Sequence, residues 1–278
     1  MIRRIGTMDG VSALPSPPPR AVVANGLVFT SGQVPLRSVP EVENGNFADD
    51  VRLALANLSA ILEESGSSLK HVLKITTFLT DPRLADYNEI YVDVFGDNLP
   101  ARTTVMVSES DYSIEIHCIA AVADGHKPPL IRRITNALGM APVLGPYSQA
   151  VVANGMVFTS GQIPARTSMQ DQPEDFAGKV RQTLTNLEAI LLEAGSDLAH
   201  VAKVTTYLTD PEQLAEYNRV YAEVFGSTLP ARTSCCVGIW DIALEIECIA
   251  FVADGPSQAP FPQEPELVSA TQKAGETC

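Results

Sequence analysis

The stretch LPARTTVMVSESDYSIEIHCIA at residues 99–120 returns as LPARTSCCVGIWDIALEIECIA at residues 229–250. The two versions keep the same ends and differ in the middle, so the chain holds two variants of one segment. Upstream, AVVANGLVFTSGQVP beginning at Ala21 has a counterpart, AVVANGMVFTSGQIP, beginning at Ala150. A repeat of this length indicates a duplicated domain rather than a solenoid.

Each variant contains one arginine and one glutamate at the same spacing. Arg102 and Arg232 begin an apolar strand, and Glu115 and Glu245 alternate with apolar residues in the next strand. Alternation directs such a glutamate to the face opposite its apolar neighbours. A single glutamate of this kind is usually a surface residue, and the arginine alone could form a structural ion pair. Repetition of both residues favours a functional pair.

Composition restricts the class of protein. The chain has 278 residues, of which 45% are hydrophobic and 19% charged, as in packed globular domains. A net charge of −14 without a cluster of Lys and Arg argues against a nucleic-acid partner. The sequence has no secretory signal pattern and no apolar run of about 18 residues, which predicts a cytoplasmic protein without membrane contact. The cysteines lack metal-ligand spacing, so no metal is predicted.

The repeat predicts two domains, residues 1–125 and 130–255, joined by a short Gly/Pro linker. Residues 256–278 are rich in Pro, Gln and Glu and predict a disordered tail. The pattern of each copy predicts a strand, an Asn-Gly hairpin, a helix, a strand, a second helix and two further strands. This order is typical of an α+β domain with two helices on one face of a mixed sheet. The other face of the sheet would expose apolar surface in an isolated domain. This predicts association between domains and homo-oligomerisation.

Several motifs occur in a fixed order, namely GPYSQAVVANGMVFTSGQIP, KVTTYLTD, EYNRVYAEVFG, LPART and LEIECIA. With these motifs the chain resembles the RidA/YjgF family of reactive-intermediate (enamine/imine) deaminases over both halves. The resemblance implies two tandem chorismate-mutase-like domains, each a mixed sheet with two helices on one face. It also implies that three domains close a ring with sites between neighbours, so that a trimer of two-domain chains would fill two rings.

The family resemblance implies a hydrolase similar to 2-iminobutanoate/2-iminopropanoate deaminases. Such enzymes hydrolyse small 2-imino or 2-enamino acids, such as 2-aminoacrylate, to 2-oxo acids and ammonia. The resemblance also implies that a PLP-dependent enzyme, which dehydrates serine or threonine, produces the imino acid substrate. It implies no metal or organic cofactor. A guanidinium suits the substrate carboxylate, which is the implied role of Arg232 and Arg102. Glu245 and Glu115 match the family carboxylate that handles protons beside the reacting water.

Further positions match the family cleft. Tyr147 in GPYSQ is an implied catalytic residue. The implied substrate-binding residues are Ser160, Gly161, Asn218 and Ser234 in the second copy and Ser31, Gly32, Asn88 and Thr104 in the first.

Two features depart from the family pattern. Pro18 occupies the position that corresponds to Tyr147, so a cleft built with the first copy's N-terminal segment lacks the phenol. The middle of each variant also differs from the family, so Trp240 or Tyr112 could shape a different pocket. A single tryptophan is more often part of a core than of a ligand site.

Two alternatives to the deaminase remain open. One is a RidA-fold enzyme of a specialised pathway that acts on another carboxylate-bearing imine, enamine or ketone. The other is a non-catalytic module that binds carboxylate metabolites or partner proteins. Ribonuclease activity, described for some family members, is disfavoured by the acidic composition and by histidines that form no evident acid/base pair, His71, His117, His126 and His200.

Overall fold

The computed structural model describes most of both copies, at residues 2–6, 18–36, 46–108, 110–123, 125, 127–137 and 143–253. The predicted tail, part of the predicted linker and His126 lie outside the described residues. Within the described ranges, no helix has the length and apolar character that crossing a bilayer requires.

The first copy forms one six-stranded sheet in the order β1-β2-β3-β6-β4-β5. Only β4 and β5 pair in parallel, and the other neighbours are antiparallel. Its elements are β1 (Arg3–Ile5), β2 (Ala21–Ala24), β3 (Leu27–Thr30), α1 (Phe47–Glu64), β4 (Val72–Leu79), α2 (Leu84–Phe95), β5 (Ala101–Met106) and β6 (Ile114–Ala121).

The second copy repeats this topology, with the sheet order β11-β10-β12-β9-β8-β7. Its elements are β7 (Arg132–Ile134), β8 (Ala150–Ala153), β9 (Met156–Thr159), α3 (Phe176–Glu193), β10 (Val201–Leu208), α4 (Leu214–Phe225), β11 (Ala231–Cys236) and β12 (Leu244–Phe251). The predicted class, two tandem α+β domains, is confirmed, while the residue limits of the domains stay predictions.

Local sequence signals account for the element boundaries. Asn25 and Gly26 have φ angles of 49° and 72°, which are the positive values that a two-residue hairpin turn requires. Helix α1 begins where the Asn46 side chain accepts a hydrogen bond from the Asp49 N–H group. It ends just before Gly66, whose φ of 81° stops the helix.

The two sheets pack against each other on the faces that lack helices. Leu27 and Leu73 of the first copy share a buried apolar cluster with Val151 and Phe158 of the second. The helix-covered faces form a separate core in each copy. The apolar sheet face is therefore partly covered within one chain, by the other copy.

The outer edge of β5 is paired with the second copy. The backbone N–H of Met106 donates to the Gly238 carbonyl at 2.9 Å, and the Gly238 N–H donates back at 3.0 Å. At the other end of the strand, the Ser148 N–H donates to the Pro100 carbonyl at 3.0 Å. β11, the corresponding strand of the second copy, is a mostly exposed edge strand.

A buried ion pair joins the two copies beside this edge. The Lys74 ammonium lies 2.6 Å from the Glu247 carboxylate, and both side chains are nearly buried. The ammonium also donates to the Thr103 hydroxyl at 2.7 Å and to the Thr159 carbonyl at 2.8 Å. Its desolvated charge is therefore fully compensated only while the copies remain docked.

Replacement of Lys74 tests this contribution. Lys74→Ala leaves the Glu247 carboxylate buried without its cation, so we expect the free energy of unfolding to fall by about 3 kcal/mol. Lys203→Ala is the matched control, because Lys203 is the corresponding residue of the second copy and its ammonium is exposed. The control should lose less than about 1 kcal/mol in urea unfolding followed by circular dichroism. Equal losses in both variants would contradict the assignment.

Candidate functional site

The arginine and the glutamate of one copy face opposite sides of their sheet. Arg102 pairs with Ile75 on β4, and Glu115 pairs with Phe78 on the same strand. Paired residues share a face, and side chains three positions apart in a strand point to opposite faces. One copy alone therefore cannot bring its own arginine and glutamate into one site.

The chain instead joins Arg102 of the first copy to Glu245 of the second. Both residues line one cleft between the copies, with a cavity volume of about 140 Å³. Arg102 comes from β5 and Glu245 from β12, while Tyr147 and Gly161 come from the segments before β8 and after β9. The β5 edge that docks on the second copy is thus also the strand that supplies the cationic group.

The Arg102 guanidinium is held from several sides. One of its N–H groups donates to the Asn88 amide oxygen at 2.7 Å, and the residue is only 6% exposed. The guanidinium carbon lies 4.9 Å from the ring centroid of Tyr91 and 5.4 Å from that of Tyr147. Because aromatic faces and one amide fix the group, binding of a carboxylate requires little further ordering of this side chain.

The Glu245 carboxyl is buried in the same cleft, with 8% of the residue exposed. It lies against Gly161 so closely that an added methyl group at that position would overlap the carboxyl. Burial raises the pKa of Glu245 to about 8, and the nearby Glu247 carboxylate acts in the same direction. Lys74 and Arg102 act in the opposite direction without cancelling the effect of burial. The group is therefore mostly protonated at neutral pH and can act as an acid.

Tyr147 provides a phenolic hydroxyl in the same cleft, in addition to the carboxyl of Glu245. Its oxygen accepts a hydrogen bond from the Leu144 N–H at 3.3 Å, which leaves the phenolic proton free to be donated. Burial raises the pKa of Tyr147, so the phenol stays protonated at neutral pH.

Other predicted residues of this cleft support it in different ways. The Ser160 hydroxyl accepts from the Arg102 backbone N–H at 2.8 Å and donates to the Ser148 carbonyl at 2.6 Å. It therefore positions β5 rather than offering its hydroxyl to a ligand. Asn88 orients the guanidinium, as described above. The Thr104 hydroxyl lines the cleft, is buried and has no hydrogen-bond partner among the described residues.

The remaining predicted residues form two half-sites that do not meet within the chain. On the second copy, Arg232 is exposed and stacks over the rings of Tyr217 and Tyr221, with Asn218 on the same helix α4 and Ser234 on β11. The Ser234 hydroxyl is buried without a partner in the described part of the chain.

The first copy carries the opposite half-site. Glu115 lies against Gly32 as Glu245 does against Gly161, at an open groove. The Ser31 hydroxyl donates to the Pro19 carbonyl at 2.7 Å. Arg232 does not line this groove, so a second site requires another molecule.

Residues outside the predicted set complete the cleft. Trp240 lines it and packs against apolar clusters of both copies, so it has a core role and a site role together. The sequence alone leaves both roles open for this tryptophan. Across the described ranges, no group of three His, Cys, Asp or Glu side chains is arranged to hold a metal ion.

Comparisons with known proteins match each copy separately. A family model described as Endoribonuclease L-PSP matches residues 17–122 and again residues 138–252. A RutC family protein of Pyrococcus horikoshii is 43% identical over 111 residues, which are 39% of this chain and 88% of that protein. The Escherichia coli protein named "Putative reactive intermediate deaminase TdcF" is 39% identical over 114 residues, 38% of this chain and 87% of that protein.

Two further relatives are similarly short. Mitochondrial mmf1 of Schizosaccharomyces pombe is 41% identical over 113 residues, 38% of this chain and 68% of that protein. The crystal structure of E. coli TdcF with bound serine aligns with a TM-score of 0.41 and 34% identity, covering 43% of this chain and 98% of that one.

The raised pKa of Glu245 predicts a pH-dependent effect of its replacement. Between pH 4.5, its ordinary pKa, and about 8, the folded chain keeps a proton that the unfolded chain releases. Stability therefore falls as pH rises through this window. Glu245→Gln removes this penalty, so its gain in stability over wild type should be about 4 kcal/mol larger at pH 9 than at pH 5.

Urea unfolding at both pH values measures this difference. Glu188→Gln, on the exposed side of α3, controls for the loss of one negative charge from an acidic chain. An equal effect of Glu245→Gln at pH 5 and pH 9 would mean that the folded carboxyl does not hold its proton.

Proposed function

The chain belongs to the RidA/YjgF proteins, whose family model is described as endoribonuclease L-PSP, and on this premise we propose that it hydrolyses 2-imino and 2-enamino acids to 2-oxo acids and ammonia. The observation that supports this proposal best is the cleft in which a fixed guanidinium, Arg102, faces a buried carboxylic acid, Glu245. Substrates of this class combine a carboxylate with a basic nitrogen two bonds away, which matches a cation beside a proton donor.

Binding begins with the carboxylate. Arg102 would accept it through charge-assisted hydrogen bonds from the guanidinium N–H groups that Asn88 does not occupy. The Thr104 hydroxyl, unpartnered among the described residues, is available as an additional donor. Among the described residues that line the cleft, Arg102 is the one cation, so we expect it to determine the orientation of the substrate.

Proton transfer then involves Glu245. Its acid form donates a proton to the imine nitrogen, which makes the carbon of the iminium more electrophilic. A water molecule attacks that carbon and gives a proton to the carboxylate just formed. In the resulting carbinolamine, a new C–O bond has formed and the C=N double bond has become a C–N single bond. Glu245 next protonates the amino nitrogen, the C–N bond breaks and ammonia leaves. The hydroxyl gives its proton back to the Glu245 carboxylate as the C=O bond of the 2-oxo acid forms, which restores the acid form of Glu245.

This chemistry needs few groups. An iminium is intrinsically electrophilic, so orientation and the balance of charge can supply the acceleration. We propose PLP-dependent dehydratases of serine or threonine as the reactions that supply such imino acids. A cytoplasmic location stays a prediction, since one relative, mmf1, is named as mitochondrial.

The contents of the cleft disfavour ribonuclease activity for this chain. No histidine is found among the described residues that line the cleft, and the net charge of the chain is −14. His200 pairs with Asp197 at a partly exposed position, while His117 stacks on Phe78 in the other copy. An RNA substrate would meet one cation at this site and a repulsive surface around it.

We further propose that the two open half-sites meet in a homo-oligomer. Arg232 and Asn218 of one molecule would then approach Glu115 and Gly32 of another, as Arg102 approaches Glu245 within the chain. Such an interface is heterologous, because it joins two different surfaces of identical chains. The trimer implied by the family resemblance would contain three intermolecular clefts of this kind.

The docking within the chain constrains that assembly. Each chain contributes two adjacent domains, so a ring that whole chains close contains an even number of domains.

The activity is tested with an assay in which a second enzyme generates the imino acid in the reaction mixture. A PLP-dependent threonine dehydratase forms the imino acid, and the release of 2-oxo acid is followed with and without this protein. We expect wild type to accelerate release. In a background of Arg232→Ala, which removes the intermolecular cleft, Arg102→Ala should lower kcat/KM about 100-fold, because the carboxylate loses its buried cation. Arg232→Ala alone should lower kcat/KM less, since the cleft within the chain stays complete.

Arg219→Ala is the control for this series, because Arg219 is an exposed residue of α4 that pairs with Glu223. It should retain full activity. Unaltered activity of Arg102→Ala in the Arg232→Ala background would contradict the proposed site. No acceleration by correctly folded wild type would contradict the proposed reaction and favour a binding module.

Replacement of Phe29 tests the proposed assembly. Phe29 on β3 is 42% exposed, whereas its counterpart in the second copy, Phe158, is 1% exposed between the copies. We expect light scattering to give a mass above the 29.8 kDa of one chain for wild type and about that of one chain for Phe29→Asp. A monomeric wild type would overturn the proposed intermolecular cleft without affecting the cleft within the chain.

A further inference from the structure

The cleft between the copies has an apolar wall beyond the groups that the proposed reaction uses. This wall consists of Leu84, Val143, Leu144, Ile163, Trp240 and Ile242. Leu84 belongs to α2 of the first copy, and Trp240 belongs to the second copy, so the wall closes the cleft from both sides. The polar groups, Arg102 and Glu245, occupy another part of the same lining.

The corresponding loop of the first copy has a different character. Ser110 occupies the position of Trp240, and Tyr112 occupies the position of Ile242. Together with Asp111 these residues line the groove beside Glu115. Duplication has therefore left a tryptophan beside Glu245 in one copy and a serine at the corresponding position beside Glu115 in the other.

We propose that the cleft between the copies selects 2-imino acids whose side chain is apolar and larger than a methyl group, and that Trp240 determines this selection. This inference rests on the proposed function. With the substrate carboxylate on Arg102 and the imine carbon near Glu245, the side chain is the part of the substrate left to contact the wall. Apolar contact with Trp240 and Leu84 removes its surface from water, whereas a polar side chain would lose hydrogen bonds there.

The indole of Trp240 is enclosed between the two copies. Its Nε1 atom is buried and has no partner among the described residues. The ring packs against apolar residues of both copies, including Val105 and Ile239. Packing on two sides holds the ring in place as a wall rather than as a mobile cover.

Trp240 is also the single tryptophan of the chain, so intrinsic fluorescence reports binding at this wall directly. The probes are pyruvate and 4-methyl-2-oxopentanoate, two 2-oxo acids that differ only in their side chain. We expect wild type to bind the larger acid at least about tenfold more tightly, with a change in tryptophan emission. Equal affinities for the two acids would overturn the inference.

Trp240→Ser installs the residue that the first copy already has at this position, and Trp240→Phe is the conservative variant. By calorimetry, Trp240→Ser should bind the two acids with equal affinity, while Trp240→Phe should keep the preference. Leu84→Ala, on the opposite side of the wall, should weaken the preference in the same direction. It is the second test variant if Trp240→Ser fails to fold. A preference unchanged in both Trp240→Ser and Leu84→Ala would overturn the inference.

Kinetics separate this inference from the proposed function. An L-amino-acid oxidase with catalase generates the imino acids of leucine and alanine, and the rate of their hydrolysis is measured. Trp240→Ser should lower the ratio of kcat/KM for the leucine imine to kcat/KM for the alanine imine about tenfold. Equal losses for both would overturn the selection by Trp240. If neither imine is hydrolysed but the binding preference is observed, the proposed reaction is contradicted and the proposed selectivity of the pocket is supported.

Discussion

Docking of the β5 edge on the second copy is the constraint on which the site depends. This strand supplies Arg102, and its backbone is fixed by the Ser160 hydroxyl and by the Gly238 loop of the other copy. Because Arg102 and Glu115 face opposite sides of one sheet, neither copy can form a site alone. Docking brings a guanidinium from the edge of one sheet to a carboxyl on the open face of the next. The same contact buries Glu245 and thereby raises its pKa. Packing of the two copies therefore also sets the protonation state of the carboxyl in the site.

The ion pair between Lys74 and Glu247 distinguishes this docking from its alternatives. The position of Glu247 is occupied in the first copy by His117, whose pKa is lowered by burial. A first copy docked on another first copy would therefore set Lys74 against a histidine, without a carboxylate to compensate the buried ammonium. Docking in the observed order satisfies that charge. The difference of one residue between EIHCIA and EIECIA thus makes the second copy the better partner for the β5 edge.

The sequence allowed much of the fold to be predicted, and less of the site. The Asn-Gly hairpin, the helix beginning at Phe47 and the strand after His71 follow from local rules, and the structure confirms them. The repeated arginine and glutamate identified the groups that meet in the cleft, but not that Arg102 meets Glu245. Pairing of that kind depends on which sheet face and edge are left free, which is a property of the tertiary structure. The bridging role of Ser160 was hidden for the same reason, since a side chain that bridges two copies has no local signature.

The central claim is that Arg102 and Glu245 of the same chain form one site. It is tested most directly by mixing two inactive variants, each also containing Arg232→Ala to remove the intermolecular cleft. One variant contains Arg102→Ala and the other Glu245→Gln, and the mixture is refolded together before the hydrolysis of imino acid is measured. A site within the chain predicts that the mixture stays as inactive as its components. Recovery of activity would mean that Arg102 of one molecule meets Glu245 of another, which would contradict the account.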